Sequence, residues 1–135
     1  MRHLFLVLVA LLLVSGCDKQ AQLADSGDGK FAIDLKFKIK NRCQGPFPEV
    51  LLLNVPQGTE AFEFKMIDLS YNNYDHGTAE VKHPGGSVLA EGTVPGLLGP
   101  CFTGSSTHTY KITVKALGKG GQVLGVTEAR KSFTN

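Results

Sequence analysis

Apolar and polar residues alternate along several stretches of this 135-residue chain. The longest clean run is FAIDLKFKIK at 31–40, where Phe31, Ile33, Leu35, Phe37 and Ile39 share one side and Asp34, Lys36 and Lys38 lie among the residues opposite. Side chains of an extended backbone point to opposite faces in turn, so this pattern predicts a half-buried strand over 31–39. AFEFKMIDL at 61–69 repeats it with Phe62, Phe64 and Met66. YKITVKAL at 110–117 sets Tyr110, Ile112, Val114 and Ala116 against Lys111, Thr113 and Lys115. VLLLNV (50–55), TAEVKH (78–83), VLAEGTV (88–94) and QVLGVTEARKSF (122–133) supply further extended segments. Turn-rich connections separate them: NRCQGPFPE, PQGTE, SYNNYDHG, HPGGS, PGLLGPCFTGSSTH and the hairpin-like GKGG. No amphipathic helix, internal repeat or low-complexity tract interrupts the series. Short strands separated by turns in this way predict an all-β fold, a sandwich of two mainly antiparallel sheets with little helix.

The chain begins differently. MRH precedes LFLVLVALLLV, an apolar run too short to span a bilayer comfortably, and Val14-Ser15-Gly16-Cys17 closes it. This resembles the bacterial lipobox, which implies cleavage before Cys17 and lipidation of its thiol. Residues 1–16 are then expected to be a lipoprotein signal peptide, 17–30 the lipidated cysteine with a polar tether, and 31–135 the folded domain. Several acyl chains anchor a protein stably where one does not. The expected location is the bacterial cell envelope, lipid-anchored and facing the periplasm, with Asp18 tipping the expectation toward the inner membrane.

Composition narrows the function classes. Basic and acidic residues nearly balance, 14 against 12, and no basic stripe is interleaved with aromatics, so no nucleic-acid partner is expected. With Cys17 lipidated, Cys43 and Cys101 are the thiols left in an oxidising compartment. A Cys43–Cys101 disulfide is expected, and two free buried cysteines are the alternative. His3 leaves with the signal, and His76, His83 and His108 remain. A serine or cysteine nucleophile needs a base and an orienting group around it, and no nucleophile elbow or comparable motif is present. Asp68, His76 and His108 are potential zinc ligands, but lack the short-spaced pair that marks a site. The chain is therefore expected to be non-enzymatic, without a cofactor or metal.

The series PEVLLLNVPQGTEAFEFKMID, DHG, AEGTV and GPCFTGSSTHTYKITVKAL resembles the phosphatidylethanolamine-binding protein (PEBP) family, especially its bacterial Raf-kinase-inhibitor-like branch. That family carries V-P-x-G-T, an acidic position after an apolar strand, a later histidine, and G-P-C-P-P…G-x-H-x-Y leading into a strand. The likeness covers most of residues 45–117, with Gly99, Pro100, Cys101, His108 and Tyr110 matching in place. It implies a PEBP-like β-sandwich with a small surface pocket for phosphate, phosphoryl headgroups or similar anions. Asp68 looks like the acidic residue that begins the family's D-P-D-x-P segment, His76 like the histidine before a strand beside the pocket, and His108 like the one in G-x-H-R. Tyr110 falls where relatives often carry an aromatic, although it also shares a face with Ile112 and Val114. Asp68, His76, His108 and Tyr110 are thus the ligand-binding residues that the resemblance implies. Imidazoles donate hydrogen bonds to phosphate oxygens, more strongly when protonated, and a carboxylate orients an imidazole by accepting its second N–H.

The chain departs from the pattern at three places. Asp68 is followed by Leu69-Ser70-Tyr71, Cys101 by Phe102-Thr103 instead of Pro-Pro, and His108 by Thr109 instead of arginine, which removes a rigid donor fork. Some relatives restrain kinases or proteases, so the implied alternative is a protein-interaction or inhibitor module with a degenerate pocket and an envelope protein as partner. Tyr71, Tyr74 and Phe102 either wall a pocket or cover the end of the sandwich. His83, before Pro84, is expected to be a solvated turn residue.

Overall fold

The alternation over 61–68 and 107–117 becomes two neighbouring strands at the centre of the molecule. The structure, a computed structural model, describes residues 29–135. The expected signal peptide, Cys17 with its lipid, and most of the tether lie outside the described residues. In chain order the strands are β1 Ala32–Leu35, β2 Val50–Leu53, β3 Ala61–Asp68, β4 Tyr74–Lys82, β5 Val88–Leu89, β6 Thr107–Leu117 and β7 Val123–Thr134. They form two sheets, β1-β2-β5 and β4-β3-β6-β7, with every pairing antiparallel. This is the all-β sandwich that the alternation predicts.

The core lies where the inner faces of the two sheets meet. Phe62, Phe64 and Met66 of β3 and Tyr110, Ile112, Val114 and Ala116 of β6 are fully buried. Each large apolar side chain removed from water contributes about 1.5–3 kcal/mol. Opposite them stand Ile33, Leu35, Phe37, Phe47, Val50, Leu52 and Leu89. Aromatic edges knit the layers: Phe47 meets Phe64 at 5.9 Å, and Phe37 meets Tyr110 at 5.8 Å, between ring centroids. The outward rows of β3 and β6 carry charge, with Glu63 paired to Lys115 at 2.7 Å.

Two predicted strands are shorter than their alternation. β1 ends at Leu35, and a 3₁₀ turn over Ile39–Asn41 leaves Ile39 65% exposed instead of on the buried face. The buried Asn41 side chain accepts from the Lys38 N–H at 2.8 Å and donates to the Pro46 carbonyl at 2.8 Å, which closes that turn. β5 stops at Leu89 because the chain turns back, with the Thr93 N–H donating to the Ala90 carbonyl at 3.0 Å. His83 is also not a solvated turn residue. Its ring packs edge-on to Phe62 at 5.0 Å, and its Nδ1 is buried.

The register defines two poles. Asp68 lies opposite Tyr110, and Ala61 lies opposite Leu117. Seven residues at about 3.3 Å each separate the two ends of β3 by about 23 Å. Phe31 stacks on Phe62 at 6.1 Å, so the chain reaches the sandwich at the Ala61 pole, beside the β6–β7 connection over Lys119–Gly121. β7 returns to the Asp68 pole, where Thr134 pairs with Thr107.

Candidate functional site

At the Asp68 pole the ends of β3, β4 and β6 meet the loop that precedes β6. Asp68 is the last residue of β3, and its buried side chain turns inward like Phe64 and Met66 before it. The residues after it form a tight reversal. The Ser70 N–H donates to Asp68 Oδ1 at 2.8 Å, the Tyr74 N–H donates to the Tyr71 carbonyl at 2.9 Å, and Asn72 and Asn73 both hold positive φ. Asparagine tolerates that left-handed conformation better than other non-glycine residues, and two such residues in succession suit a hairpin turn.

β4 then returns with an irregularity that places His76. Ile67 pairs with Asp75 and Met66 with Gly77, so His76 is the extra residue of a β-bulge. Regular alternation from Ala79 through Gly77 would point residue 76 outward. The inserted residue instead turns His76 in beside the core, where it is 5% exposed. Bulges re-aim side chains in this way. Gly77 adopts φ +109°, a conformation that residues with a Cβ rarely take.

The third component comes from β6. His108 Nδ1 lies 2.5 Å from Asp68 Oδ2, with the two side chains 14% and 5% exposed. The carboxylate only accepts, so Nδ1 carries the hydrogen and donates it. His76 Nδ1 lies 2.9 Å from the Leu98 carbonyl oxygen, which settles its Nδ1 in the same way. In both rings Nε2 is left without a protein partner among the described residues. Aromatic neighbours hold the rings in place: Phe102 stacks on His108 with centroids 3.8 Å apart and planes 3° from parallel, while Tyr74 and Tyr110 flank His76 edge-on at 5.2 and 5.3 Å.

Asp68, Tyr74, His76, Phe102 and His108 line an open cleft of about 600 Å³, together with Tyr71, Leu98, Cys101 and Thr103. No lysine or arginine lines it among the described residues. The structure thus brings Asp68, His76 and His108 together. Tyr110 lies beneath the cleft and not on its lining: its ring is fully buried in the core. Burial, assisted by the nearby Asp68 carboxylate, pushes the phenol well above its ordinary range, although no acceptor meets the hydroxyl with hydrogen-bond geometry. The position Tyr110 holds, on a face with Ile112 and Val114, explains why it is floor and not wall.

The cleft's outer wall is residues 98–104. A disulfide joins Cys43 to Cys101 with Cα atoms 4.6 Å apart. Around it the Cys43 N–H donates to the Pro100 carbonyl at 3.0 Å and the Gly99 N–H to the Cys43 carbonyl at 2.7 Å. The two segments run so close that a Cβ on Gly99 would collide with the Asn41 carbonyl oxygen. Arg42 Nη2 donates to the Phe102 carbonyl at 3.1 Å, and Asn135 Nδ2 to the carbonyls of Phe102 and Gly104 at 3.2 and 3.0 Å. The Leu98 carbonyl and the bulge at His76 have no counterpart in the pattern of residue types and were not legible there. Among the described residues no group of three or more His, Cys, Asp or Glu is arranged to hold a metal ion.

A two-sheet antiparallel sandwich with a histidine- and aspartate-lined cleft at one pole defines the class of protein. Among solved structures, the chain is similar to YbcL of E. coli, described as a new member of the mammalian PEBP family. The two share 16% identity, with a TM-score of 0.52 over 78% of this chain and 96% of that one. It is also similar to CT736 of Chlamydia trachomatis, described as a phosphatidylethanolamine-binding protein homologue. Here identity is 17%, with a TM-score of 0.55 over 83% of this chain and 95% of that one. The fold is therefore PEBP-like. No family model and no curated protein matches the sequence.

Proposed function

We propose that the cleft binds a small anionic or phosphoryl-containing ligand, without chemistry, and that the protein does so as a lipid-anchored component of the bacterial envelope. One observation carries the binding reading: both histidines commit Nδ1–H to an acceptor, so Nε2 is the nitrogen each ring offers to a ligand in the cleft. The names of the two similar structures support a phosphoryl group as that ligand. The same geometry sets a condition. A neutral ring with hydrogen on Nδ1 presents a lone pair at Nε2, which repels a phosphate oxygen. Binding an anion there requires a proton, either on the ring or on the phosphate, and no fixed cation in the lining substitutes for it. Inorganic phosphate or phosphoethanolamine at millimolar concentration is expected to raise the melting temperature, and more at pH 6 than at pH 8. His76→Ala with His108→Ala is expected to abolish the shift. No shift for the parent protein at either pH would end this reading.

The envelope reading rests on Val14-Ser15-Gly16-Cys17. Cys17→Ser is expected to move the protein from the membrane fraction to the soluble fraction, and unchanged fractionation would refute the anchor. A second reading, an interaction or inhibitor module, is favoured by Tyr71 and Tyr74, which stand 61% and 49% exposed at the rim. Crosslinking in membranes separates the two, because a discrete protein adduct that survives the double histidine change belongs to the second.

A further inference from the structure

We propose that the Cys43–Cys101 bridge is a thiol–disulfide exchange site through which a dithiol reductant sets the state of the cleft. Three observations converge on it. Cys101 is exposed and itself lines the cleft, while Cys43 behind it is partly covered. A disulfide with one sulfur-bearing residue at the surface offers an attacking thiolate access from one side. The next residue, Phe102, lies flat on His108 and is thereby the direct link between the bridge and a ligand-facing ring. The chain beyond it, from Thr103 to Ser106, is exposed and runs without strand pairing as far as Thr107, so from that side Phe102 is held by no strand pairing, and its ring rests on Phe133.

The exchange balances as follows. One thiolate of the dithiol attacks Sγ of Cys101, the S–S bond breaks, and its electron pair leaves on Cys43 Sγ, which takes up a proton. The second thiol of the reductant then attacks its own sulfur in the mixed disulfide, closing the reductant into a cyclic disulfide and releasing Cys101 as a thiolate that is protonated in turn. The protein gains two electrons and two protons, and the dithiol loses them. After release, the remaining side-chain ties on Phe102 are the hydrogen bonds to its carbonyl from Arg42 and Asn135, both partly or fully exposed, and the edge-on contact of its ring with the buried Phe133 at 6.1 Å between centroids. Phe102 then tilts on Phe133 out of its parallel stack, and His108 loses the face that orients it. The consequence for phosphate rests on the binding reading above, whereas the exchange and the movement of the wall do not.

The test uses the full chain with dithiothreitol in native buffer, following the imidazole ring protons by NMR and phosphate binding by titration. A proton ring lying parallel to Phe102 carries a ring-current shift, so reduction is expected to move the His108 signals while those of His83, at the opposite pole, stay in place. Affinity for inorganic phosphate is expected to fall about tenfold, the loss of roughly one good contact. A Cys43→Ser, Cys101→Ser variant is expected to reproduce the shifted His108 signals without any reductant. Resistance of the bridge to dithiothreitol in the native state overturns the proposal. So do unmoved His108 signals after reduction, and so does general unfolding seen as collapse of the His83 signals, since a switch needs a folded reduced state. If phosphate binds neither form, the binding reading fails, while the His108 signals still decide whether the bridge controls the wall.

Discussion

Tyr110 shows how one atom can sit at odds with its surroundings. The ring is an ideal core element, touching His76 and Phe37 edge-on, yet the hydroxyl it carries is buried without a hydrogen-bonded acceptor. An unsatisfied buried hydroxyl costs about 1–3 kcal/mol relative to one that stays hydrated. Its burial beside Asp68 keeps the proton on, so ionisation offers no escape. Tyr110→Phe is therefore expected to leave stability unchanged or raise it by up to about 1 kcal/mol, read from the urea midpoint at constant slope. A loss above that size would mean that the hydroxyl bonds Asp68 in solution. At this scale the residue types were informative. The family resemblance nominated Asp68, His76, His108 and Tyr110; the first three line one cleft, and Tyr110 lies beneath it. The resemblance was silent on the Leu98 carbonyl, since every residue carries one and only tertiary packing decides which faces an imidazole.

Among the elements, β4 carries the largest difference between pattern and structure. The strand was legible from Thr78 onward, where alternation is regular, but it begins four residues earlier at Tyr74. SYNNYDHG is polar and reads as loop, because its pairing with β3 depends on an Asn-Asn turn and a bulge that periodicity cannot register. β1 fails in the opposite sense: its alternation continues to Ile39, but the hydrogen bonds of Asn41 pull the chain into a turn. The bulge yields a prediction of its own. Gly77→Ala must hold a left-handed backbone at a cost of about 1–3 kcal/mol. The added Cβ itself would meet Gly96 O and Leu97 Cδ2 at an ordinary 3.6 Å, so backbone strain and not collision is the source. The variant is expected to unfold at lower urea and to shift the His76 ring signals while leaving those of His83 unmoved. Equal stability with an unmoved His76 would show that the bulge does not depend on glycine.

For the whole molecule, acid response follows from where its ionisable groups are buried. Burial holds the His83 imidazole below its ordinary value of 6.5. As pH falls past that value, the unfolded chain takes a proton that the folded chain refuses, so stability declines until the folded ring also titrates. The urea midpoint is expected to drop between about pH 7 and pH 5, and to drop less in His83→Gln. Asp34 acts in a lower window. Its hydrogen bond from Lys131 holds its carboxyl below the usual range, so its contribution is present above that range and disappears as the folded group is protonated. An equal acid response in parent and variant would remove His83 from the account. The two-sheet architecture was legible because most strands bury one face, whereas the assignment of each strand to a sheet rests on long-range pairing that no local pattern contains. The two poles also make the two ends of the folded domain unequal as handles. A support or fluorophore coupled at Lys30 attaches next to Phe31, on the pole of Phe62 and away from the cleft, and a sensor surface built that way presents the cleft to the flowing solution. One coupled beyond Asn135 sits against the Phe102 carbonyl and crowds the very opening it is meant to report on.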